Sequence, residues 1–310
     1  MKAFITGING FVGKHLSEFL LSKGFEVTGT DLTDGFDGNS NVKYYKLDVL
    51  DADKLKQIMN DIKPDVIFHL AAISSVQVCE EKPELARKIV IEGTNNLLSA
   101  CVKNKINPTI IITSSAHVYG IPEYTPIDEL HPLKPVTAYG KSKLEQENTA
   151  LNFFKRYGLK VIISRSFNHI GPGQATGFVC SDFAKQIAEI EKGLIQPEIH
   201  VGDLSSKRDF TDVRDIVDAY VMLAEKGKPG EIYNIGRGKA YSIQEILEKM
   251  ISKSSIKIRI EKSKLKKSAI PIFVADNRKF KNLTGWKPKI GIDKSLTDII
   301  NYWIDLISSL

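Results

Sequence analysis

The sequence predicts an α/β protein in which a doubly wound parallel sheet is followed by a smaller C-terminal α/β domain. Three observations predict it. Short β-rich runs alternate strictly with longer helical patterns over the first half, as right-handed βαβ units require. Runs such as Val66-Ile67-Phe68 and Ile110-Ile111-Ile112 are apolar on both faces, as parallel strands covered by helices on either side must be. A glycine-rich turn joins the first strand to the first helix.

In order, strands are expected at 2–6, 26–31, 43–47, 66–70, 109–113 and 160–164, and helices at 12–23, 51–62, 83–104 and 138–157. After Ser166 the rhythm loosens. Gly171-Pro172-Gly173 marks a loop, and a helix is expected near 181–192. A helix at 212–226 and a strand at 231–235 resemble elements of the main sheet, and the region from Tyr241 onward is mixed. The expected organisation is therefore a first domain of residues 1–167, rejoined by 205–235, and a discontinuous second domain within 168–310. There is no internal repeat and no low-complexity linker.

At 310 residues and 42% hydrophobic content, the chain can bury a large core. No stretch approaches the ~20 apolar residues that span a bilayer, so no membrane association is expected. Met1-Lys2-Ala3-Phe4-Ile5-Thr6-Gly7 enters a strand directly, without an apolar leader and cleavage site, and a cytoplasmic protein is expected. The net charge of +6 is weighted toward the basic run Lys249–Lys267. That run lacks interleaved aromatic residues for base stacking, so no nucleic-acid partner is expected. It reads as a solvated edge or as a face turned toward an anionic substrate. Cys79, Cys101 and Cys180 are isolated, and no Cys/His spacing suggests a metal.

Gly7-Ile8-Asn9-Gly10-Phe11-Val12-Gly13 sets glycines three apart between strand and helix. Glycines allow a tight turn and close approach to a pyrophosphate, and the helix N-terminus offers that anion free N–H groups. Asp31 closes the second strand, 18 residues after Gly13 (31 − 13), where a carboxylate accepts from a ribose 2′-hydroxyl and repels a 2′-phosphate. No arginine follows it, which favours NAD over NADP. Together these features predict a Rossmann dinucleotide site. A P-loop is excluded, because Ile8 and Pro135 stand where Gly13-Lys14 and Gly140-Lys141-Ser142 would each need an upstream glycine.

Tyr139-Gly140-Lys141-Ser142-Lys143 opens a helical segment, and Tyr139 and Lys143 share a face at i and i+4. A free tyrosine titrates near ~10 and is inert at neutral pH, but a nearby ammonium favours the phenolate and is expected to lower that value. Lys143 can also hold cofactor ribose hydroxyls. Ser114-Ser115 ends the strand at the carboxyl edge of the sheet, where ligands bind in open α/β folds. Ser115, Tyr139 and Lys143 are the catalytic candidates.

These residues resemble the extended short-chain dehydrogenase/reductases, a family of nucleotide-sugar epimerases, dehydratases and reductases. The resemblance spans essentially the whole chain. It runs through Thr6–Gly13, Asp48-Val49, His69-Leu70-Ala71-Ala72, Gly93-Thr94-Asn95-Asn96-Leu97, Ser115–Gly120, Tyr139–Lys143 and Arg208-Asp209-Phe210. By resemblance, NAD or NADP would be held by Gly7, Asn9, Gly10, Phe11, Val12, Gly13, Asp31, Leu32, Asp48, Val49, Leu70, Ala71, Ala72, Tyr139 and Lys143. A nucleotide-diphosphate sugar would meet Ser74, Ser75, Ser115, His117, Asn168, Phe178, Val179, Arg208 and Lys266. Family members often form homodimers through the two helices at 83–104 and 138–157, where Leu85, Ile89, Leu144 and Leu151 are compatible with such a face.

Within the family, Arg165–Gln174, Gly177-Phe178-Val179 with Asp182–Ile187, and Arg208–Val217 are most similar to GDP-4-dehydro-6-deoxy-D-mannose reductases, which form GDP-D-rhamnose. Dehydratases resemble one another in carrying acidic residues just after the active-site Ser/Thr, because eliminating water needs a further acid and base. Ala116 and His117 occupy those places here, which argues for reduction. A 4-epimerase uses the same Ser/Tyr/Lys set and stays open as the alternative. Two places depart from the family pattern. Val90 stands where many relatives carry asparagine, and Lys266 and Ala269 stand where relatives carry a diphosphate-binding arginine and an acid. Lysine keeps the charge but loses the bidentate fork.

Overall fold

A computed structural model describes residues 1–262 and 270–309. The strands are β1 (Lys2–Thr6), β2 (Glu26–Asp31), β3 (Lys43–Lys46), β4 (Val66–His69), β5 (Thr109–Ser115), β6 (Lys160–Ser166), β7 (His169–Ile170), β8 (Glu198–Val201), β9 (Lys207–Asp209), β10 (Thr211–Asp212), β11 (Ile232–Ile235), β12 (Ala240–Ser242), β13 (Arg259–Lys262) and β14 (Ile272–Phe273). The helices are α1 (Phe11–Ser22), α2 (Ala52–Ile62), α3 (Val76–Glu81), α4 (Pro83–Lys103), α5 (Ala138–Tyr157), α6 (Val179–Glu191), α7 (Val213–Lys226), α8 (Ile243–Ile251), α9 (Arg278–Thr284) and α10 (Ile292–Ser308).

The expected doubly wound sheet is present. Its order is β3-β2-β1-β4-β5-β6-β11, with every neighbouring pair parallel. The chain runs outward from β1 through β2 to β3, then crosses back by α2 to β4 on the other side of β1, so the ligand crevice of such a sheet lies outside the carboxyl ends of β1 and β4. The apolar runs are explained by the pleat. Ile5, Phe68, Ile111 and Ile162 pack under α1 and α7, while Phe4, Ile67, Ile110, Ile112, Val161 and Ile163 pack under α2, α4 and α5. Each such fully buried side chain contributes about 1.5–3 kcal/mol, and successive residues feed opposite cores.

The C-terminal lobe has its own core of Phe183, Ile187, Ile246, Leu247, Leu296 and Trp303 between α6, α8 and α10. Small sheets β12-β9-β14 and β13-β8 border it. Phe280 and Trp286 pack into the main-sheet core beside Tyr233 and Tyr220, so the segment around α9 also docks on the first lobe. Helix α3 has no counterpart among the expected elements. It is a short turn of helix capped by the Ser75 hydroxyl, which accepts from Val78 N–H at 3.3 Å. Among the described residues, no helix is long and apolar enough to cross a membrane.

Candidate active site

The glycine turn sits at the carboxyl end of β1. Gly7 adopts φ +76°, which side-chain-bearing residues rarely adopt, and a Cβ there would lie 2.9 Å from Ala71 N. A Cβ on Gly13 would lie 2.4 Å from the Gly7 carbonyl oxygen. Helix α1 starts at Gly10 with no side chain capping it, which leaves its first N–H groups available to an anion. Asp31 braces the turn from β2, its carboxylate accepting from Asn9 N–H at 3.0 Å and Leu32 N–H at 2.8 Å. The Asn9 amide donates to Thr33 Oγ1 and to the Gly35 carbonyl at 2.8 Å, so the chain beyond Asp31 folds back over the turn. This cradle, with its steric need for glycine and its uncapped helix end, fits a dinucleotide pyrophosphate.

The other expected cofactor residues lie along the same edge of the sheet. Leu32 is exposed beside Asp31. Asp48 and Val49 follow β3, with Val49 packed on Gly93, where a Cβ would lie 2.7 Å from the Val49 Cγ2. Leu70, Ala71 and Ala72 follow β4 and are half-buried. Phe11 stacks parallel to His169 at 6.1 Å, and His15 Nε2 lies 2.8 Å from the Pro172 carbonyl oxygen. Helix α1 thereby touches the loop that leads to α6.

Ser115, Tyr139 and Lys143 are brought together at the end of β5 and the first turns of α5. The Ser115 hydroxyl oxygen accepts from His117 N–H at 3.2 Å, leaving its own proton to donate. A hydrogen bond from Ser115 to the Tyr139 oxygen favours the phenolate, but burial outweighs it and Tyr139 is pushed up to about 12. Here the structure departs from the expectation of an acidified phenol. The Lys143 Nζ lies 6.0 Å from the Tyr139 ring centroid and gives protons instead to the Thr113 carbonyl at 2.7 Å and Gln146 Oε1 at 3.0 Å. Burial also pulls Lys143 down to about 8. At neutral pH the chain's own groups therefore leave Tyr139 protonated, as an acid requires, with Lys143 still carrying its charge.

Among the residues expected to meet the substrate, His117 meets Tyr139 edge-on at 5.5 Å and lies tilted against Phe273 at 6.2 Å. Burial, and then the positive charge of Arg208, lower its pKa, which places Arg208 within electrostatic reach. The Arg208 Nη1 donates to the carbonyls of Lys207 and Ile270, each at 2.9 Å. Asn168 is half-buried, its carbonyl accepting from Thr211 N–H at 3.0 Å. Phe178 is the residue that precedes α6, and Val179 begins that helix. Val179 lines a cleft of about 580 Å³ together with Asp182, Lys185, Gln186, His200 and Asp203. Ser74 is exposed, and Ser75 spends its hydroxyl oxygen on capping α3. Lys266 and Ala269 lie outside the described residues. Among the described residues, no cluster of three or more His, Cys, Asp or Glu side chains is arranged to hold a metal.

Five residues have supporting roles that the sequence did not reveal. Gly140 lets α5 approach the segment after Ser115, since a Cβ there would lie 2.6 Å from the His117 carbonyl oxygen. A glycine in the first turn of a helix, which costs about 1 kcal/mol relative to alanine, was a visible signal of that close packing. Glu80 of α3 accepts from Ala138 N–H at 2.6 Å, and Thr137 accepts from Gly140 N–H at 3.0 Å, so two side chains fix the start of α5 beside Tyr139. Glu147 and Arg165 form an ion pair at 2.7 Å, with each side chain 2% exposed, directly under Ser114. Nothing in the spacing of these residues announces their contact.

A family model described as GDP-mannose 4,6 dehydratase matches residues 4–299. The chain is 32% identical over 306 residues to a GDP-6-deoxy-D-mannose reductase of Pseudomonas aeruginosa, covering 97% of each chain. It is 31% identical over 306 residues to a putative UDP-glucose 4-epimerase of Methanocaldococcus jannaschii, covering 96% of this chain and 97% of that one. The solved structure of RMD from Pseudomonas aeruginosa complexed with NADPH is similar to it with a TM-score of 0.87 at 31% identity, covering 98% of this chain and 99% of that one.

Proposed function

Because the chain belongs to the GDP-mannose 4,6-dehydratase family of extended short-chain dehydrogenase/reductases, we propose that it reduces the 4-keto group of a nucleotide sugar with NADH or NADPH, converting GDP-4-dehydro-6-deoxy-D-mannose to GDP-D-rhamnose. The observation that carries this reading is the placement of Tyr139, in the first turn of α5, beside Ser115 at the sheet edge that also bears the glycine turn, with Ala116 and His117 rather than carboxylates following Ser115. Reduction needs one proton donor at the carbonyl oxygen and no second acid–base pair.

In this mechanism the turn from Gly7 to Gly13 and the start of α1 hold the pyrophosphate, and Asp31 holds the adenosine ribose. A reduced nicotinamide bound there supplies the hydride. Ser115 donates a hydrogen bond to the sugar carbonyl oxygen, and Tyr139 transfers its phenolic proton to that oxygen as negative charge develops on it. The Lys143 charge stabilises the tyrosinate that remains. Arg208 offers its guanidinium to the diphosphate, and the cleft beside Val179 receives the far end of the nucleotide.

The test is to incubate the protein with GDP-4-dehydro-6-deoxymannose and each reduced cofactor and follow cofactor absorbance. One equivalent of cofactor oxidised per sugar consumed is the expected result, with NADH preferred because of Asp31. The second reading, a UDP- or GDP-sugar 4-epimerase, is favoured by the segment Ser115-Ala116-His117-Val118-Tyr119-Gly120 and by the likeness to a putative epimerase. Sugar interconversion with no net cofactor consumption would replace the reductase with that reading.

The cradle gives a second expected outcome. Gly13→Ala forces a methyl group into the Gly7 carbonyl, which must move, and dinucleotide affinity should fall at least about tenfold, or 1.4 kcal/mol. Quenching of intrinsic fluorescence on titration with NADH measures it, and unchanged affinity would remove the turn from the binding site. A homodimer through α4 and α5 is part of the proposal. Leu85 is exposed there and Ile89 half-buried, whereas Leu144 packs inward beside Phe167 and Phe273. Light scattering that returned the monomer mass at micromolar concentration would exclude it.

A further inference from the structure

Lys143 is the terminus of a buried chain of hydrogen bonds that crosses the molecule to the glycine turn. Gln146 takes an ammonium proton on Oε1 at 3.0 Å and donates from Nε2 to Thr94 Oγ1 at 2.8 Å. Thr94 gives its single hydroxyl proton to the Val90 carbonyl at 2.6 Å, so it can only accept from its other neighbours. His69 Nε2, 3.0 Å from Thr94 Oγ1, must therefore carry the ring proton. That leaves His69 Nδ1 to accept from the Thr6 hydroxyl at 2.8 Å, and the Thr6 oxygen to accept from Ala71 N–H at 3.3 Å. Every donor in the chain thus has one possible direction. Gln146, Thr94 and Thr6 are 0% exposed, His69 1% and Lys143 3%. The parallel register that pairs Thr6 with His69 puts β1 and β4 side by side at this point, and the packing of α4 on α5 brings Thr94 to Gln146.

We propose that Gln146, Thr94 and His69 are positioning residues that hold the Lys143 ammonium in place and fasten it to the strand ends carrying Gly7 and Ala71. The effect on turnover rests on the catalytic reading given above; the effect on the lysine itself does not. Lys143 has three protons and two protein acceptors, Thr113 O and Gln146 Oε1, which leaves one for a ligand hydroxyl. The titratable groups that face it are Cys79 from α3, His69 from β4, and Glu147 and Tyr139 from its own helix. His69 cannot share its charge, because burial and then the Lys143 ammonium push the imidazole down to about 3. Gln146 is therefore the side-chain acceptor that, with the Thr113 carbonyl, keeps an ammonium tolerable at this depth. An apolar residue there removes a hydrogen bond that is stronger in the charged form than in the neutral amine, and the lysine becomes easier to deprotonate.

The test follows Lys143 in the whole chain labelled with ¹³C-lysine, its Cε resonance identified by its loss in Lys143→Met. Gln146→Leu should shift its titration about one unit to lower pH, the size of a charge-assisted hydrogen bond. Gln146→Glu should shift it upward, because the carboxylate accepts the same proton and adds opposite charge. Thr94→Val, which frees the amide that Thr94 anchors, should give a smaller downward shift and serves if Gln146→Leu does not fold. In turnover assays the alkaline limb of kcat should move the same way in each variant, a readout that a merely structural role would not move. Wild-type titration in the folded Gln146→Leu and Thr94→Val proteins would overturn the proposal. Full turnover in Lys143→Met would instead overturn the catalytic reading, and the titration would still decide the role of the network.

Discussion

Tyr139→Phe is expected to lower kcat for sugar reduction by about 10²–10⁴-fold, the range seen when a positioned general acid is removed. The phenol is half-buried, and desolvation pushes it up to about 12 against the opposing effect of Ser115, so at neutral pH it keeps the proton it is to donate. The ring makes edge-on contact with His117 at 5.5 Å, and phenylalanine preserves that contact. Ser115 would remain to bond the carbonyl oxygen, so the loss should fall in kcat rather than in KM for either ligand. Dinucleotide affinity should change less than about twofold, because the glycine cradle and Asp31 are untouched. Single-turnover kinetics with the purified substrate measure the chemical step directly. A variant with more than a tenth of wild-type turnover would remove Tyr139 from the role assigned to it.

The largest stability effect is expected from Arg165→Met. The Arg165 guanidinium donates to Glu147 from Nη2 at 2.7 Å and Nε at 3.0 Å, and from Nη1 to the Tyr119 hydroxyl at 3.1 Å. Tyr119 in turn donates to Asn234 Oδ1 at 2.7 Å, and Ser114 donates to Glu147 at 2.5 Å. This cluster joins β5, β6, β11 and α5 at a point with no access to water. Methionine fills most of the volume but strands the Glu147 carboxylate with only the Ser114 hydroxyl, a loss of about 3–5 kcal/mol. Denaturant unfolding monitored by circular dichroism tests this. The double variant Glu147→Leu/Arg165→Met should recover much of the loss, because two well-packed apolar side chains need no partner. A loss under about 1 kcal/mol in the single variant, the size of an exposed ion pair, would show that the pair is solvated and does not hold the strands together.

Much of the molecule was legible in the sequence because it follows from local rules. Gly7-Ile8-Asn9-Gly10-Phe11-Val12-Gly13 announces a strand-to-helix turn because only glycine tolerates φ +76° at its start and the close contact at its end. Val66-Ile67-Phe68 announces a doubly covered strand because alternate side chains enter different cores. Tyr139 and Lys143 share a helix face by periodicity alone. The short helix α3 left no such mark, since six residues are too few for a 3.6-residue repeat to declare itself. Its consequence, Glu80 at the start of α5, was hidden with it.

The electrostatic character of the site belongs to the tertiary structure. Sequence spacing put an ammonium one turn from a phenol and suggested an acidified tyrosine. Whether the charge or the burial prevails depends on what else the ammonium meets and how much water remains, and both are set by residues far apart in the chain: Thr113 at the end of β5, Gln146 deeper in α5, Thr94 on α4 and His69 on β4. Those contacts exist because the strand register and the packing of two helices on one sheet face close loops of many residues. The sequence alone determined the strands of the main sheet, the glycine turn and the helix that carries Tyr139 and Lys143, since each is fixed by neighbours a few positions away. Only the folded chain decided that Tyr139 keeps its proton and that Lys143 is tethered to the turn, because dielectric and hydrogen-bond geometry are properties of a closed interior.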